Sequence, residues 1–263
     1  KIKGTGFDVK GGIIFRPVAD SPFRIGAYFN SPVFYDLTGY YDNDMQVMLT
    51  YGGDNPNIKP ASADYDFRLN TAWKAGVSLG HTVGNYLALG ATYEYAWYDH
   101  MDNRIKDGGY YDDWYGTYYE TSRSDKNMND NTRNTLKGVS TLKVGLEYKP
   151  ITNLAVRLGY NYVSPMFDEN GYRDQTIYSP GVAYATSTDY TNWKATNRFT
   201  CGVGYNYQNL FIDVAYQYTI QKGDFYPFMS YTDASDSKYD CIAPSTEVKY
   251  NRHQVMMTVG YKF

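Results

Sequence analysis

The chain has 263 residues, a formal net charge of −3, 20% charged residues and 18% aromatic ones, with 31 tyrosines against 12 phenylalanines and 4 tryptophans. Abundant aromatics and balanced charge exclude a disordered chain, and no run approaches the ~20 apolar residues of a membrane-spanning helix. Two cysteines cannot make a disulfide scaffold, and a slightly acidic chain without a basic block does not suit nucleic acid.

Apolar residues instead recur with period two, which separates two faces of a β-strand. In chain order, Phe67, Leu69, Trp73, Val77 and Leu79 oppose Arg68, Asn70, Lys74 and Ser78. Leu87, Leu89, Ala91, Tyr93, Tyr95 and Trp97 oppose Gly90, Thr92 and Glu94. Leu142, Val144, Leu146 and Tyr148 oppose Lys143, Gly145, Glu147 and Lys149. Leu154, Val156, Leu158, Tyr160 and Tyr162 oppose Arg157, Gly159 and Asn161. Leu210, Ile212, Val214, Tyr216, Tyr218 and Ile220 oppose Asp213, Gln217 and Gln221. At the end, Val255, Met257, Val259, Tyr261 and Phe263 oppose Gln254, Thr258, Gly260 and Lys262.

The pattern predicts about nine strands, at 5–18, 22–37, 63–82, 85–100, 133–149, 153–167, 192–208, 209–221 and 247–263. Short turns near Ala19–Ser21, Val83–Gly84, Pro150–Thr152 and Gln208–Asn209 alternate with long Tyr-rich loops at 38–62, 101–132, 168–191 and 222–246. Short turns on one rim and long loops on the other are the arrangement of an outer-membrane barrel, whereas a β-sandwich mixes loop lengths. Tyr98, Tyr205, Tyr207 and Tyr261 lie near strand ends, where an aromatic girdle meets headgroups. The expected fold is therefore an all-β, antiparallel transmembrane β-barrel, with 1–263 as one domain. Leu154, Val156, Leu158, Leu210, Ile212, Val214, Val255, Met257 and Val259 should face lipid, with Arg157, Asp213 and Lys143 inward.

An internal repeat aligns Val9–Phe34 with Leu142–Phe167, matching Lys10, Gly12, Pro17, Arg24, Gly26, Ser31, Pro32 and Phe34 to Lys143, Gly145, Pro150, Arg157, Gly159, Ser164, Pro165 and Phe167. Proline cannot donate to the ladder, so Pro17 and Pro150 stop strands at the short-turn rim, and Pro32 and Pro165 disturb pairing near the outer end. The repeat predicts one shared register for the two hairpins.

The stretches Gly4–Pro17 and Phe23–Val33 resemble the outer-membrane hydrophobic-compound transporters, the family of FadL long-chain fatty-acid and TodX-type aromatic-hydrocarbon transporters. The terminal aromatic Phe263 also resembles the assembly signal of bacterial outer-membrane barrels. The resemblance implies a bacterial outer-membrane location, a 14-stranded barrel with an N-terminal hatch, and passive uptake of hydrophobic small molecules such as long-chain fatty acids. The partners it implies are membrane lipid, a hydrophobic ligand, and the remaining N-terminal part of the barrel on this or another chain. The 263 residues would then be its C-terminal portion, because nine strands are an odd number and bacterial single-chain barrels have even ones. The resemblance assigns no ligand-binding residue. A non-transporting barrel serving as a docking or secretion accessory is the other class that fits.

Chemistry-bearing residues are sparse, and the expectation is no enzyme, cofactor or metal. His81, His100 and His253 are scattered; Asp99-His100 beside Asp102 offers an acid–histidine pair without a second acidic pair. Asp42-Asn43-Asp44, Asp112-Asp113 and Asp168-Glu169-Asn170 lack EF-hand spacing. Cys201 and Cys241 read as unpaired thiols. Asp8, Lys10, Arg16, Arg24, Asp66, Arg68, Lys74, Glu94, Lys143, Glu147, Arg157 and Asp213 make a mixed-sign inner face, which suits mutual pairing. Met45, Val47, Met48, Leu49, Trp114, Phe225, Phe228 and Met229 would supply apolar loop surface.

Overall fold

A computed structural model describes residues 1–43, 61–183, 189–233 and 235–261. Asp44, Met45, Val47, Met48, Leu49, Lys262 and Phe263 lie outside these described residues. Fourteen strands are present among them: β1 Ile2–Phe7, β2 Lys10–Phe15, β3 Arg24–Asn30, β4 Phe34–Asn43, β5 Ala61–Asn70, β6 Lys74–Val83, β7 Leu87–Ala96, β8 Asp102–Asp112, β9 Thr117–Ser124, β10 Val139–Ile151, β11 Leu154–Val163, β12 Tyr190–Tyr207, β13 Leu210–Tyr226 and β14 Thr246–Tyr261. Helices α1 Lys126–Thr135 and α2 Pro180–Ala183 lie on the long-loop side.

The strands form two antiparallel sheets. The main sheet has nine strands in the order β14-β13-β12-β11-β10-β7-β6-β3-β2, and a smaller one has five in the order β1-β4-β5-β8-β9. The smaller sheet is the outer continuation of the main one. The first three expected strands are each interrupted, at Asp8–Val9, Ser31–Val33 and Thr71–Trp73, and the fourth passes through a single 3-10 turn at Tyr98–His100 into β8. Hydroxyls carry the ladder across these breaks. Val9 N–H donates to Ser31 Oγ at 2.9 Å, Val33 N–H to Thr71 Oγ1 at 2.8 Å, and Ser140 N–H to Ser164 Oγ at 2.9 Å. That is the job of the repeated Ser-Pro: the proline removes a backbone donor, and the serine supplies an acceptor for the neighbouring strand.

All strand pairs are antiparallel, and each sheet keeps chain order while β1–β4, β3–β6, β5–β8 and β7–β10 skip the two strands that belong to the other sheet. The turn between β12 and β13 is tight enough to hold Gln208 at a left-handed φ of 52°, a conformation that costs a non-glycine residue about 1 kcal/mol or more. Three expectations need correction. Residues 101–132 are not a loop, because they contain the β8–β9 hairpin and most of α1, which itself extends through Thr135 and displaces the start of β10 to Val139. β13 extends to Tyr226, so the last long loop is shorter than expected. The two repeated hairpins do not share a register. Lys10 lies opposite Asn30, whereas the matching Lys143 lies opposite Asn161 and not Val163. The two-residue offset preserves which face each side chain occupies, as a one-residue offset would not.

The register resolves the faces. Leu89, Leu146, Leu158, Cys201, Tyr216 and Val255 form one cross-strand row, and Leu87, Tyr148, Val156, Val203, Val214 and Met257 form the next. This face is open: Leu158 is 55%, Val255 70% and Met257 65% exposed, and none of the nine residues expected to face lipid is buried. The buried apolar side chains among the described residues are few and mostly small, including Ala72, Ala96, Ala155 and Ala243. A sandwich needs a packed interface between two sheets, and the described residues supply none. Outward rows from Phe199 to Tyr207 span nine residues of β12, which at ~3.3 Å per residue and a tilt of ~40° gives an apolar band of about 23 Å. The architecture is that of a transmembrane β-barrel wall, open at β2 and β14.

The faces predict an asymmetric response to charge. Met257→Arg, in the middle of the band, should destabilise the membrane-inserted protein by about 2–4 kcal/mol, whereas Thr258→Arg on the inner face should cost less than about 1 kcal/mol. Urea unfolding in lipid vesicles measures both, and equal effects would contradict the assignment.

Candidate functional site

The inner wall and the outer mouth are the surfaces on which a barrel acts. On the inner wall, Gly80, Gly90, Gly145 and Gly159 lie in one row across β6, β7, β10 and β11. A Cβ on Gly80 would meet no atom within 4 Å, and one on Gly90 or Gly145 would meet only a carbonyl oxygen, at 3.9 and 4.0 Å. Packing within the chain therefore does not demand Gly80, Gly90 or Gly145, whereas a Cβ on Gly159 would stand 2.5 Å from Thr200 Oγ1. The first three leave a bare strip of wall, the kind of place where a ligand or another backbone approaches a sheet.

On the short-turn side of this strip, Arg157 bridges two strands. Its Nε donates to Glu147 at 2.6 Å and its Nη1 donates to Asp213, while Lys149 also pairs with Glu147 at 3.1 Å. A recess of 580 Å³ lies over this stretch, lined by Gly90, Gly145, Gly159, Gly202, Glu147 and Arg157 among others. On the long-loop side, Glu94 accepts a hydrogen bond from the Tyr28 hydroxyl at 2.6 Å.

The expected inner charges thus divide. Glu147, Arg157 and Asp213 are mutually paired, Lys10 pairs with Asp8 at 3.0 Å, and Arg24, Lys74 and Lys143 pair with no described residue. Arg16 lies just beyond β2, while Asp66 and Arg68 belong to the outer sheet. Arg198 and Arg252 also lie on the inner face, and counting parity back from Thr200 and Thr258 would have found them.

The outer sheet is held by an ion network. Lys106 Nζ contacts Asp36 at 2.8 Å and Glu120 at 2.9 Å, while Arg68 contacts Asp36 at 3.0 Å and Glu120 at 3.5 Å. Burial alone would push the Asp36 carboxyl up, but Lys106 and Arg68 outweigh it and hold the group below the ordinary aspartate range. Burial likewise disfavours the Lys106 ammonium, yet Asp36 and Glu120 raise its pKa above the ordinary lysine value.

Next to this network the chain builds a folded mouth. Asp125 caps α1 by accepting from Met128 N–H at 3.2 Å, and its other oxygen accepts from the Ser179 hydroxyl. Asn129, buried on α1, donates to Asp102 at 2.7 Å and accepts from Asn103 N–H at 2.7 Å. Further round, Asn192 donates to the Gly171 carbonyl at 2.6 Å, and the Tyr190 hydroxyl accepts from Arg173 N–H at 2.8 Å. Burial pushes the Tyr190 phenol up, against that hydrogen bond. Ser230 is fully buried and accepts from Ala243 N–H. Trp114 and Tyr178 stand out from this rim, each 89% exposed, and Tyr110 stacks on Tyr119 along the β8–β9 hairpin.

The candidate acid–histidine site does not assemble. His100 contacts Asp99 at 3.0 Å, but Asp102 is committed to Arg104 at 2.9 Å and to Asn129. His81 Nδ1 is buried without a hydrogen-bond partner among the described residues. His253 stacks on Tyr218 and shares a 2.6 Å hydrogen bond with the Tyr216 hydroxyl on the outward face, level with Phe199. Asp112 caps the hairpin turn through Trp114 and Tyr115 N–H, Asp168 pairs with Lys137, and Asp42 lies near the end of β4. Cys201 and Cys241 are both free and exposed. Phe225 and Met229 belong to the β13 end and the loop beyond it, and Phe228 is 38% exposed.

No protein-family model and no curated protein matches the chain. Among solved structures it is similar to the CymD monoaromatic hydrocarbon channel, at 12% identity and a TM-score of 0.44 over 83% of this chain, and to the NanC porin, at 12% identity and a TM-score of 0.32 over 100%. The chain spans 47% of the length of the first and 98% of the second. Likenesses at this level carry no functional weight, and the function rests on the geometry of the wall itself.

The ion network predicts how the outer sheet responds to pH and to mutation. Asp36 has a depressed value, so its contribution is complete above about pH 4 and is lost as pH falls through the folded value. Lys106 has a raised value, so its contribution is complete below about pH 10 and is lost as pH rises beyond its folded value. Lys106→Met should loosen the hairpin by about 1 kcal/mol, given that the network is partly exposed. Hydrogen exchange of β8 and β9 amides is the readout, and unchanged protection in the variant would show the network to be idle.

Proposed function

We propose that the chain forms the wall of a bacterial outer-membrane conduit, a passive transporter of hydrophobic small molecules such as long-chain fatty acids, and not an enzyme. One observation carries the membrane part: a nine-stranded antiparallel sheet whose outward rows are apolar and exposed while its inner rows are mostly polar, charged or small. The hydrophobic ligand is supported by the aromatic surface at the mouth, where Trp114 and Tyr178 offer ring faces to solvent on a rim otherwise made of hydrogen-bonded loops. Large exposed apolar groups on an ordered scaffold mark a binding surface.

Closure of the wall belongs to the same proposal. In the hydrocarbon region every unpaired backbone group costs several kcal/mol, so open edges do not persist there. Each strand of the main sheet runs opposite to its neighbours, and nine strands leave β2 and β14 running in the same direction. An antiparallel wall is then completed by an odd number of further strands; five give the expected fourteen.

The β8–β9 hairpin favours a second reading. It projects six exposed aromatics, Tyr110, Tyr111, Trp114, Tyr115, Tyr118 and Tyr119, and tyrosine-rich surfaces serve protein docking equally well. Uptake measurements separate the two. Cells carrying the protein should accumulate radiolabelled oleate or toluene faster than cells without it. Trp114→Ala with Tyr178→Ala should lower the rate at subsaturating ligand by about fivefold, the equivalent of ~1 kcal/mol of lost aromatic contact. No gain in uptake for either compound would discard the transport reading in favour of docking.

A further inference from the structure

The inner wall carries a row of cations that the paired charges do not neutralise. Across five adjacent strands the register aligns Lys143 of β10, Asn161 of β11, Arg198 of β12, Thr219 of β13 and Arg252 of β14. Cations occupy alternate strands, so successive charges stand ~10 Å apart. None of the three makes an ion pair with a described residue; Arg198 Nη1 donates to Asn161 Oδ1 at 2.8 Å, and Lys143 and Arg252 are exposed with no partner among the described residues.

The carboxylates on the same face are already engaged. Glu147 and Asp213 are taken by Arg157, and Glu94, diagonal to Lys143, accepts from Tyr28. One row below the cations lies the strip Gly80–Gly90–Gly145–Gly159, bare in front of Gly80, Gly90 and Gly145 and approached at Gly159 by the Thr200 hydroxyl. Like charges in one row repel, and no internal partner among the described residues offsets that cost. An anion in the lumen would offset it, and rows of Lys and Arg are how pores favour anions.

We propose that the inner wall is an anion-selecting surface, on which Lys143, Arg198 and Arg252 recognise chloride and small carboxylate or phosphate solutes passing over the glycine strip. This rests on the conduit reading, but not on its hydrophobic ligand. Recognition is electrostatic and water-exposed, so it weakens as salt shortens the screening length from ~10 Å at 0.1 M to ~3 Å at 1 M.

The test uses the assembled protein extracted from outer membranes and placed in planar lipid bilayers under a potassium chloride gradient. Near 0.1 M salt the reversal potential should report chloride favoured over potassium by about threefold or more, and the preference should shrink toward unity at 1 M. Millimolar malonate or inorganic phosphate should reduce the chloride current, while uncharged glycerol should not. The combined variant Lys143→Gln, Arg198→Gln and Arg252→Gln should lose the preference. Lys249→Gln, which removes a charge from the opposite face of β14, should keep it. A protein that conducts no ions, favours potassium, or keeps its chloride preference in the triple variant overturns the inference. If the triple variant fails to assemble, the unaltered protein decides by its selectivity and by malonate against glycerol. Oleate and toluene uptake is scored separately, so anion selection without hydrophobic uptake removes the hydrophobic ligand alone, and the converse removes only the anion surface.

Discussion

The antiparallel hydrogen-bond ladder that runs across the main sheet, from β2 at one edge to β14 at the other, is what every other property of the molecule depends on. It fixes each strand against the next, and period-two sequence then becomes two surfaces. Leu158, Cys201, Tyr216 and Val255 are far apart in the chain, but the register makes them neighbours on one face. Gly145, Gly159, Thr200 and Gln217 become neighbours on the other by the same bonds. A one-residue slip anywhere would exchange the two sets. The two-residue offset between the repeated hairpins is therefore tolerated, since it moves side chains along a face without crossing it.

Beyond the apolar band the ladder alone is not enough, because neither lipid nor an apolar core holds the outer sheet. Polar bonds take over. Lys106, Arg68, Asp36 and Glu120 tie β4, β5, β8 and β9 together, and Asp125, Asn129 and Ser179 fasten α1 and the adjoining loop. The level at which support changes is also where the strands break and where Ser31, Thr71 and Ser164 carry hydrogen bonds across. Separate breaks at one level let the outer sheet diverge from the wall: β8 continues to β9, whereas β7 pairs with β10.

How legible this was in the sequence depends on which force acts where. Strands within the band were readable because lipid demands an apolar residue at every outward position, and Leu210–Ile220 and Val255–Tyr261 supply one at each. The β8–β9 hairpin was not, because both its faces meet water and Tyr110, Tyr111, Tyr118 and Tyr119 give no alternation. Its only signals were Gly108 and Gly116, both at positive φ. Helix α1 was equally hidden: Lys-Asn-Met-Asn-Asp-Asn-Thr-Arg-Asn-Thr has no apolar stripe, and its helix rests on the Asp125 cap and on Asn129 and Thr132 hydrogen bonds to Asn103. At the inner wall, the sequence showed that Lys143, Glu147, Arg157 and Asp213 face in but not which of them are paired, and it left Arg198 and Arg252 unnoticed. Pairing depends on register across strands such as Glu147 against Arg157 and Gly204 against Asp213.

The direction of the two edge strands also limits what can complete the wall. Chains inserted in one orientation would bring β14 of one copy beside β2 of another, and these run the same way, giving a parallel pair inside an otherwise antiparallel sheet. Pairing β14 with β14 of a second copy is antiparallel, but it turns that copy upside down and carries its charged, hydrogen-bonded mouth to the opposite side of the bilayer. Moving Lys106, Arg68, Glu120 and the α1 cap through hydrocarbon costs several kcal/mol per charge. Self-association would therefore break either the antiparallel pattern or the common orientation of the mouths. Strands that run opposite to both β2 and β14 would break neither, and because alternation continues across each new bond, an antiparallel closure takes an odd number of them.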